Sequence, residues 1–90
     1  MNIRKRSKDV KLNTIICKRV TELRKLYKLT QEQLAYQSGI SKGGLSEIEH
    51  CKKEPSTKTI MLICFGLGIT PKDFYNFSDI EKYIEELNNK

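Results

Sequence analysis

The segment from Thr30 to Glu49 constrains this chain most, because it holds two short helices and leaves only a tight turn between them. Leu29-Thr30-Gln31-Glu32-Gln33-Leu34-Ala35 reads as a helix opening. Thr30 is placed as the cap, and Gln33, three residues on, can return to the cap's own N–H, completing a capping box. Gly39 stops this helix, since glycine accepts the left-handed conformation that commonly ends one. Ile40 follows as a buried residue of the turn. Ser41 caps a further helix from about Lys42 to Glu49, with Leu45 and Ile48 facing inward.

The flanks are helical as well. Leu12, Ile16, Val20 and Leu23 recur at the spacing of an amphipathic helix, which Asn13 or Thr14 can cap and which runs to about Tyr27. Before it, Met1 to about Lys11 reads as a polar, basic arm. Lys52-Lys53-Glu54-Pro55 is a loop. Ser56 then caps a helix carrying Ile60, Ile63, Cys64 and Leu67 and closing at Gly68. Thr70-Pro71 starts a short helix anchored by Phe74, with proline at the first helical position. From Asp79 to Asn88, Ile80, Tyr83, Ile84 and Leu87 form a stripe on a last helix with an acidic outer face. No strand pattern or internal repeat is present. The expectation is an all-α chain in three parts: a basic arm (1–11), a helix-turn-helix domain (12–78) and a C-terminal amphipathic helix (79–90).

Charge narrows the function. The formal net charge is +6, and it is unevenly spread. Met1 to Lys28 holds ten basic residues against Asp9 and Glu22, whereas Asp73 to Lys90 holds two against five acidic. One end should attract polyanions and the other should not. No apolar run approaches the ~20 residues needed to span a bilayer. No apolar stretch with a cleavage site follows the basic start either, so a cytoplasmic protein without a membrane partner is expected.

The three cysteines, Cys17, Cys51 and Cys64, are too few and too widely spaced for a disulfide scaffold or a zinc site. Cys17 and Cys64 fall on apolar helix faces, and Cys51, beside the sole histidine His50, is expected to be the exposed thiol. No metal, cofactor or small-molecule substrate is expected. His50 and Cys51 are sequence neighbours whose side chains diverge, and the carboxylates are scattered, so no catalytic set is assigned and the chain is not expected to be an enzyme.

From Ile16 to about Tyr75 the chain resembles the XRE family of phage-repressor-like (Cro/lambda-repressor-like) helix-turn-helix domains. The matching residues are Leu23-Arg24, Leu29 to Ala35, Gly39-Ile40-Ser41, Leu45-Ser46-Glu47-Ile48-Glu49, Pro55-Ser56 and Leu67-Gly68-Ile69-Thr70. The resemblance implies a compact five-helix domain that binds double-stranded DNA operators, commonly as a dimer. It also implies a DNA-backbone contact at Gln31 and a structural ion pair between Arg24 and Glu49.

Side-chain chemistry points the same way. A helix in the major groove offers its N-terminal and outward residues to base edges. With Leu45 and Ile48 inward, that set is Lys42, Gly43, Ser46 and Glu47. Lys42 can donate to guanine or to a phosphate, and Glu47 can accept from cytosine N4. The first turn of the preceding helix suits a phosphate at Gln31. Lys52 and Lys53 look like further phosphate clamps, and Arg4, Lys5 and Arg6 could follow the backbone or enter a minor groove. Two departures from the family stand out. Gly43 and Gly44 occupy the front of the reading helix, where larger side chains are usual. His50-Cys51 replaces the usual Asn-Gly. The expected function is a homodimeric repressor; the alternative is a protein-interaction module such as an antirepressor or the antitoxin of a toxin–antitoxin pair.

Overall fold

The computed structural model describes the backbone of residues 3–89 and the side chains of residues 10–89. Among the described residues six helices follow one another: α1 (Ile3–Leu26), α2 (Gln31–Ser38), α3 (Lys42–Glu49), α4 (Thr57–Leu67), α5 (Pro71–Tyr75) and α6 (Ser78–Asn88). There is no strand among the described residues.

Local chemistry accounts for most of these boundaries. Thr30 Oγ1 accepts from the Gln33 N–H while Gln33 Oε1 accepts from the Thr30 N–H, at 3.0 and 2.9 Å. Gly39 sits at φ +71°, the left-handed geometry that closes α2. Ser41 and Ser56 cap α3 and α4, and Thr70 caps α5 ahead of Pro71. The first helix differs from expectation. It begins at Ile3, so the stretch read as an arm is helical backbone from there on, and Asn13 and Thr14 lie inside α1 rather than capping it. No glycine or proline interrupts residues 3–26, and Lys, Arg and Leu are good helix formers, so nothing stops the helix short. Thr14 Oγ1 donates instead to the Val10 carbonyl, 3.0 Å away.

One core joins the first five helices. Cys17, Val20 and Leu23 of α1 meet Leu34 of α2, Leu45 and Ile48 of α3, Ile60, Ile63 and Leu67 of α4, and Phe74 of α5, which is fully buried. Burying a side chain of Phe74's size contributes about 3 kcal/mol. α2 packs closely on α4 where Ser38 meets Gly66. A Cβ at Gly66 would collide with the Ser38 hydroxyl and come within 2.9 Å of the Ser38 backbone nitrogen. Only a residue without a side chain permits that approach.

The sixth helix folds back on α1. Tyr83 is its one buried residue, and Lys11 Nζ lies 4.7 Å from the Tyr83 ring centre. Arg19 stands over the Phe77 ring and donates to the carbonyls of Phe74 and Asp73, at 2.8 and 3.0 Å, tying the α5–α6 link to α1. No described helix is long and apolar enough to cross a membrane.

Candidate nucleic-acid interface

Packing on one side of α3 decides what the other side shows. Leu45 and Ile48 are buried, which turns Lys42, Gly43 and Glu47 outward into solvent, with Ser46 half-buried beside them. Ser41 Oγ accepts from the Gly44 N–H at 2.9 Å and fixes the start of the helix. A Cβ at Gly43 would meet nothing within 4 Å, so the backbone there is bare and open, whereas Gly44 is half-buried and a Cβ on it would come within 2.9 Å of the Ser41 hydroxyl. Lys42 Nζ stands 4.0 Å from Glu32 on exposed side chains, a contact weak enough to yield to a phosphate or a base edge.

Behind that face, α3 is held rigidly. Arg24 of α1 grips Glu49 through two hydrogen bonds of 2.8 and 2.9 Å, and its third nitrogen donates to the Leu29 carbonyl at 2.9 Å. Burial pushes the Glu49 carboxyl up, but the hydrogen bonds from Arg24 and Gln31, with the Arg24 charge, outweigh it and hold the group below the ordinary carboxylate range. The structure thus brings Arg24 and Glu49 together as a partly buried, bidentate pair and adds Gln31, whose Nε2 donates to Glu49 Oε1 at 3.2 Å. Gln31 therefore turns its side chain toward Glu49, and its place in the first turn of α2 leaves its backbone N–H as the group available to a phosphate.

Past α3 the chain makes a sharp turn. Lys52 N–H donates to the Glu47 carbonyl and Cys51 N–H to the Ile48 carbonyl, at 2.9 and 3.0 Å. This is the closure that glycine usually provides, and Cys51 takes the left-handed conformation for it, at φ +59°. The turn leaves Lys52 and Lys53 exposed and swings Cys51 inward against the core, so the thiol expected at the surface is half-buried. His50 stays exposed. Its Nδ1 lies 2.7 Å from the Ser46 carbonyl, a contact that requires the proton on Nδ1. The side chains of Arg4, Lys5 and Arg6 fall outside the described residues.

Sequence reasoning passed over Tyr36. It is 87% exposed and lines a cleft of about 790 Å³ together with Arg24, Gln31 and Lys42. Its signal was an aromatic residue on the polar face of α2, beside Glu32, Gln33 and Gln37, while Leu34 and Ala35 carry the apolar stripe.

This arrangement is a short capped helix packed on the core by one side and open on the other, after a tight turn and a second helix whose first turn lies beside Lys42. The sequence profile of the helix-turn-helix family matches residues 20–74. The chain belongs to the XRE-type helix-turn-helix family of DNA-binding transcriptional regulators. Solved structures agree with that assignment. The wild-type restriction-modification controller protein C.Esp1396I is similar with a TM-score of 0.69 and 28% identity, over 84% of this chain and 93% of that one. The controller protein C.AhdI from Aeromonas hydrophila is similar with a TM-score of 0.66 and 27% identity, over 70% of this chain and 96% of that one. No curated protein sequence matches. Within this helix-turn-helix domain, α2 and α3 are the two helices of the motif and Gly39 is its turn.

Proposed function

We propose that this helix-turn-helix protein binds a pseudo-palindromic DNA operator as a homodimer and represses transcription from it. The observation that carries the reading is the open outer face of α3. Lys42, Gly43 and Glu47 are uncovered by any described element, while Leu45, Ile48 and Glu49 lock the opposite side to the core. Lys52 and Lys53 continue the face with positive charge, suited to the flanking phosphates. Pairing is supported by α4, whose outer side carries Met61 and Phe65 one turn apart, 37% and 77% exposed. An apolar ridge of this kind suits an isologous contact with a second copy. Two copies would set their reading helices about one duplex turn, ~34 Å, apart. Likeness to restriction-modification controller proteins supports a role in controlling genes.

The test is fluorescence anisotropy with a duplex selected by the protein from random DNA. Affinity should fall steeply with salt as bound phosphates release their counterions. Lys42→Ala should weaken it by roughly tenfold. Light scattering on a sizing column should return twice the chain mass for the wild type and a smaller species for Phe65→Ser. A reporter fused to the selected site should be silenced. A salt-insensitive or absent interaction at micromolar protein overturns the DNA reading. A monomer, alone and on DNA, overturns the dimer.

A further inference from the structure

We propose that Cys17 and Cys51 form a redox-modification site, an intramolecular thiol pair whose closure to a disulfide ties the turn after α3 to α1 and weakens DNA binding. Cys17 lies within α1 and is fully buried, and Cys51 packs against the core cluster of which Cys17 is a member. The turn that carries Cys51 lies over the inner thiol, with the Lys53 carbonyl 3.9 Å from Cys17 Sγ. Cys51 reaches this position only by adopting the left-handed backbone that favours glycine. The unusual residue at the helix end therefore turns a second thiol toward the core cluster that holds the first.

The two thiols are not equivalent. Burial pushes the Cys17 thiol up to about 12, and the Cys51 thiol adds to the effect, so Cys17 holds its proton until a base as strong as a departing hydroxide takes it. Cys51 is the one open enough to meet an oxidant. With a peroxide, the Cys51 sulfur attacks one oxygen, the O–O bond breaks, the departing hydroxide takes up the proton that the Cys51 thiol gives up, and a sulfenic acid and water result. The Cys17 sulfur then attacks the Cys51 sulfur. The S–O bond breaks, the leaving hydroxide takes up the Cys17 proton, and the disulfide and a second water remain. The sum is two thiols and one peroxide giving one disulfide and two waters. Bonding draws the sulfurs to about 2.05 Å, nearer than non-bonded contact. The turn has to move toward α1 and carry the adjoining Lys52 and Lys53 with it. Cys64 takes no part: it is buried in α4.

The effect on DNA rests on the proposed function, whereas pair formation does not. The full chain is treated with hydrogen peroxide, unfolded, alkylated and weighed. The expected product is a monomeric chain lighter by two hydrogens, with Cys64 as its sole alkylatable thiol and one cross-linked peptide joining Cys17 to Cys51. It should melt at a higher temperature than the reduced chain, bind the selected duplex several-fold more weakly, and recover with dithiothreitol. Cys51→Ala, altered only at a half-buried position, should keep both remaining thiols and an unchanged affinity under the same treatment. Three alkylatable thiols, a Cys51–Cys51 linkage between chains, or over-oxidation of Cys51 alone overturns the pair. A disulfide that leaves affinity unchanged overturns the effect on DNA. If the reduced chain binds no duplex, the functional reading falls while the thiol count still decides the pair.

Discussion

The two sides of α3 are built on opposite terms. The inner side is over-determined: Leu45 and Ile48 are buried, and Glu49 takes hydrogen bonds from two residues on two other helices. The outer side holds a lysine in a weak exposed ion pair, a glycine facing open space and an exposed glutamate. Residues that hold the helix in place are thus separate from those it can offer a ligand. Changes on the inner side should appear as stability, and changes on the outer side as affinity. Each of the following experiments tests whether that division holds.

The largest effect is expected at Arg24. Arg24→Ala leaves Glu49 as a buried carboxylate without its cation, at a cost of about 3 kcal/mol, measurable as a lowered urea midpoint. The pH dependence should change with it. In the native chain the folded Glu49 pKa lies below its unfolded value. Its contribution is therefore complete above ~4.3, the ordinary glutamate value, and is lost as pH falls from there through the folded pKa. Without Arg24 the burial penalty prevails and the folded pKa rises above the unfolded one. The variant's deficit should then shrink as acid protonates Glu49, the opposite slope. Glu49→Gln in the Arg24→Ala background should recover part of the loss at neutral pH. Equal stability of Arg24→Ala and wild type would break the comparison on its inner side.

A second inner-side test lies where α2 crosses α4. Gly66→Ala places a methyl group against the Ser38 hydroxyl and within 2.9 Å of its backbone nitrogen. Part of that clash is with main chain, which cannot rotate away, so about 2 kcal/mol of destabilisation is expected by chemical denaturation. Ser38→Ala alone should be neutral or stabilising, since the Ser38 hydroxyl is buried with no hydrogen-bond partner. Combined with Gly66→Ala it should give only partial rescue, because the backbone contact persists. Full rescue would show that the hydroxyl alone sets the spacing of the two helices.

What was legible in the sequence was local. Thr30 with Gln33, Gly39, Ser41 and Thr70-Pro71 each carry within four residues the groups that start or stop a helix, and the structure uses them so. The apolar stripes showed which side of α3 turns inward. The start of α1 was not legible, because its first turns precede the stripe that opens at Leu12 and no breaker marks their end. The burial of Cys51 was hidden for another reason: a left-handed residue reverses the direction its neighbours imply. The fit of Gly66 to Ser38 joins positions far apart in the chain, and nothing near either residue announces it. On the binding side, residue type placed Lys42 and Glu47 in solvent. The inward turn of the Gln31 side chain depends on Glu49, which arrives from another helix.

The smallest change in stability should be the most informative about the outer side. At Gly43 an added Cβ meets open space, so Gly43→Ala should stabilise the chain by about 0.5–1 kcal/mol through the loss of unfolded-state freedom. If the bare backbone lets α3 approach the groove closely, the same methyl should weaken binding to the selected duplex several-fold while leaving the salt slope intact, because no charge is lost. Lys42→Ala should also weaken binding but differ in the other two readouts, with little change in stability and, where the lysine meets a phosphate, a shallower salt slope. A Gly43→Ala protein that is more stable and binds as tightly as wild type would show that Gly43 is not there for close approach. Base reading would then rest on Lys42, Ser46 and Glu47, and the outer side would be simpler than its open glycine suggests.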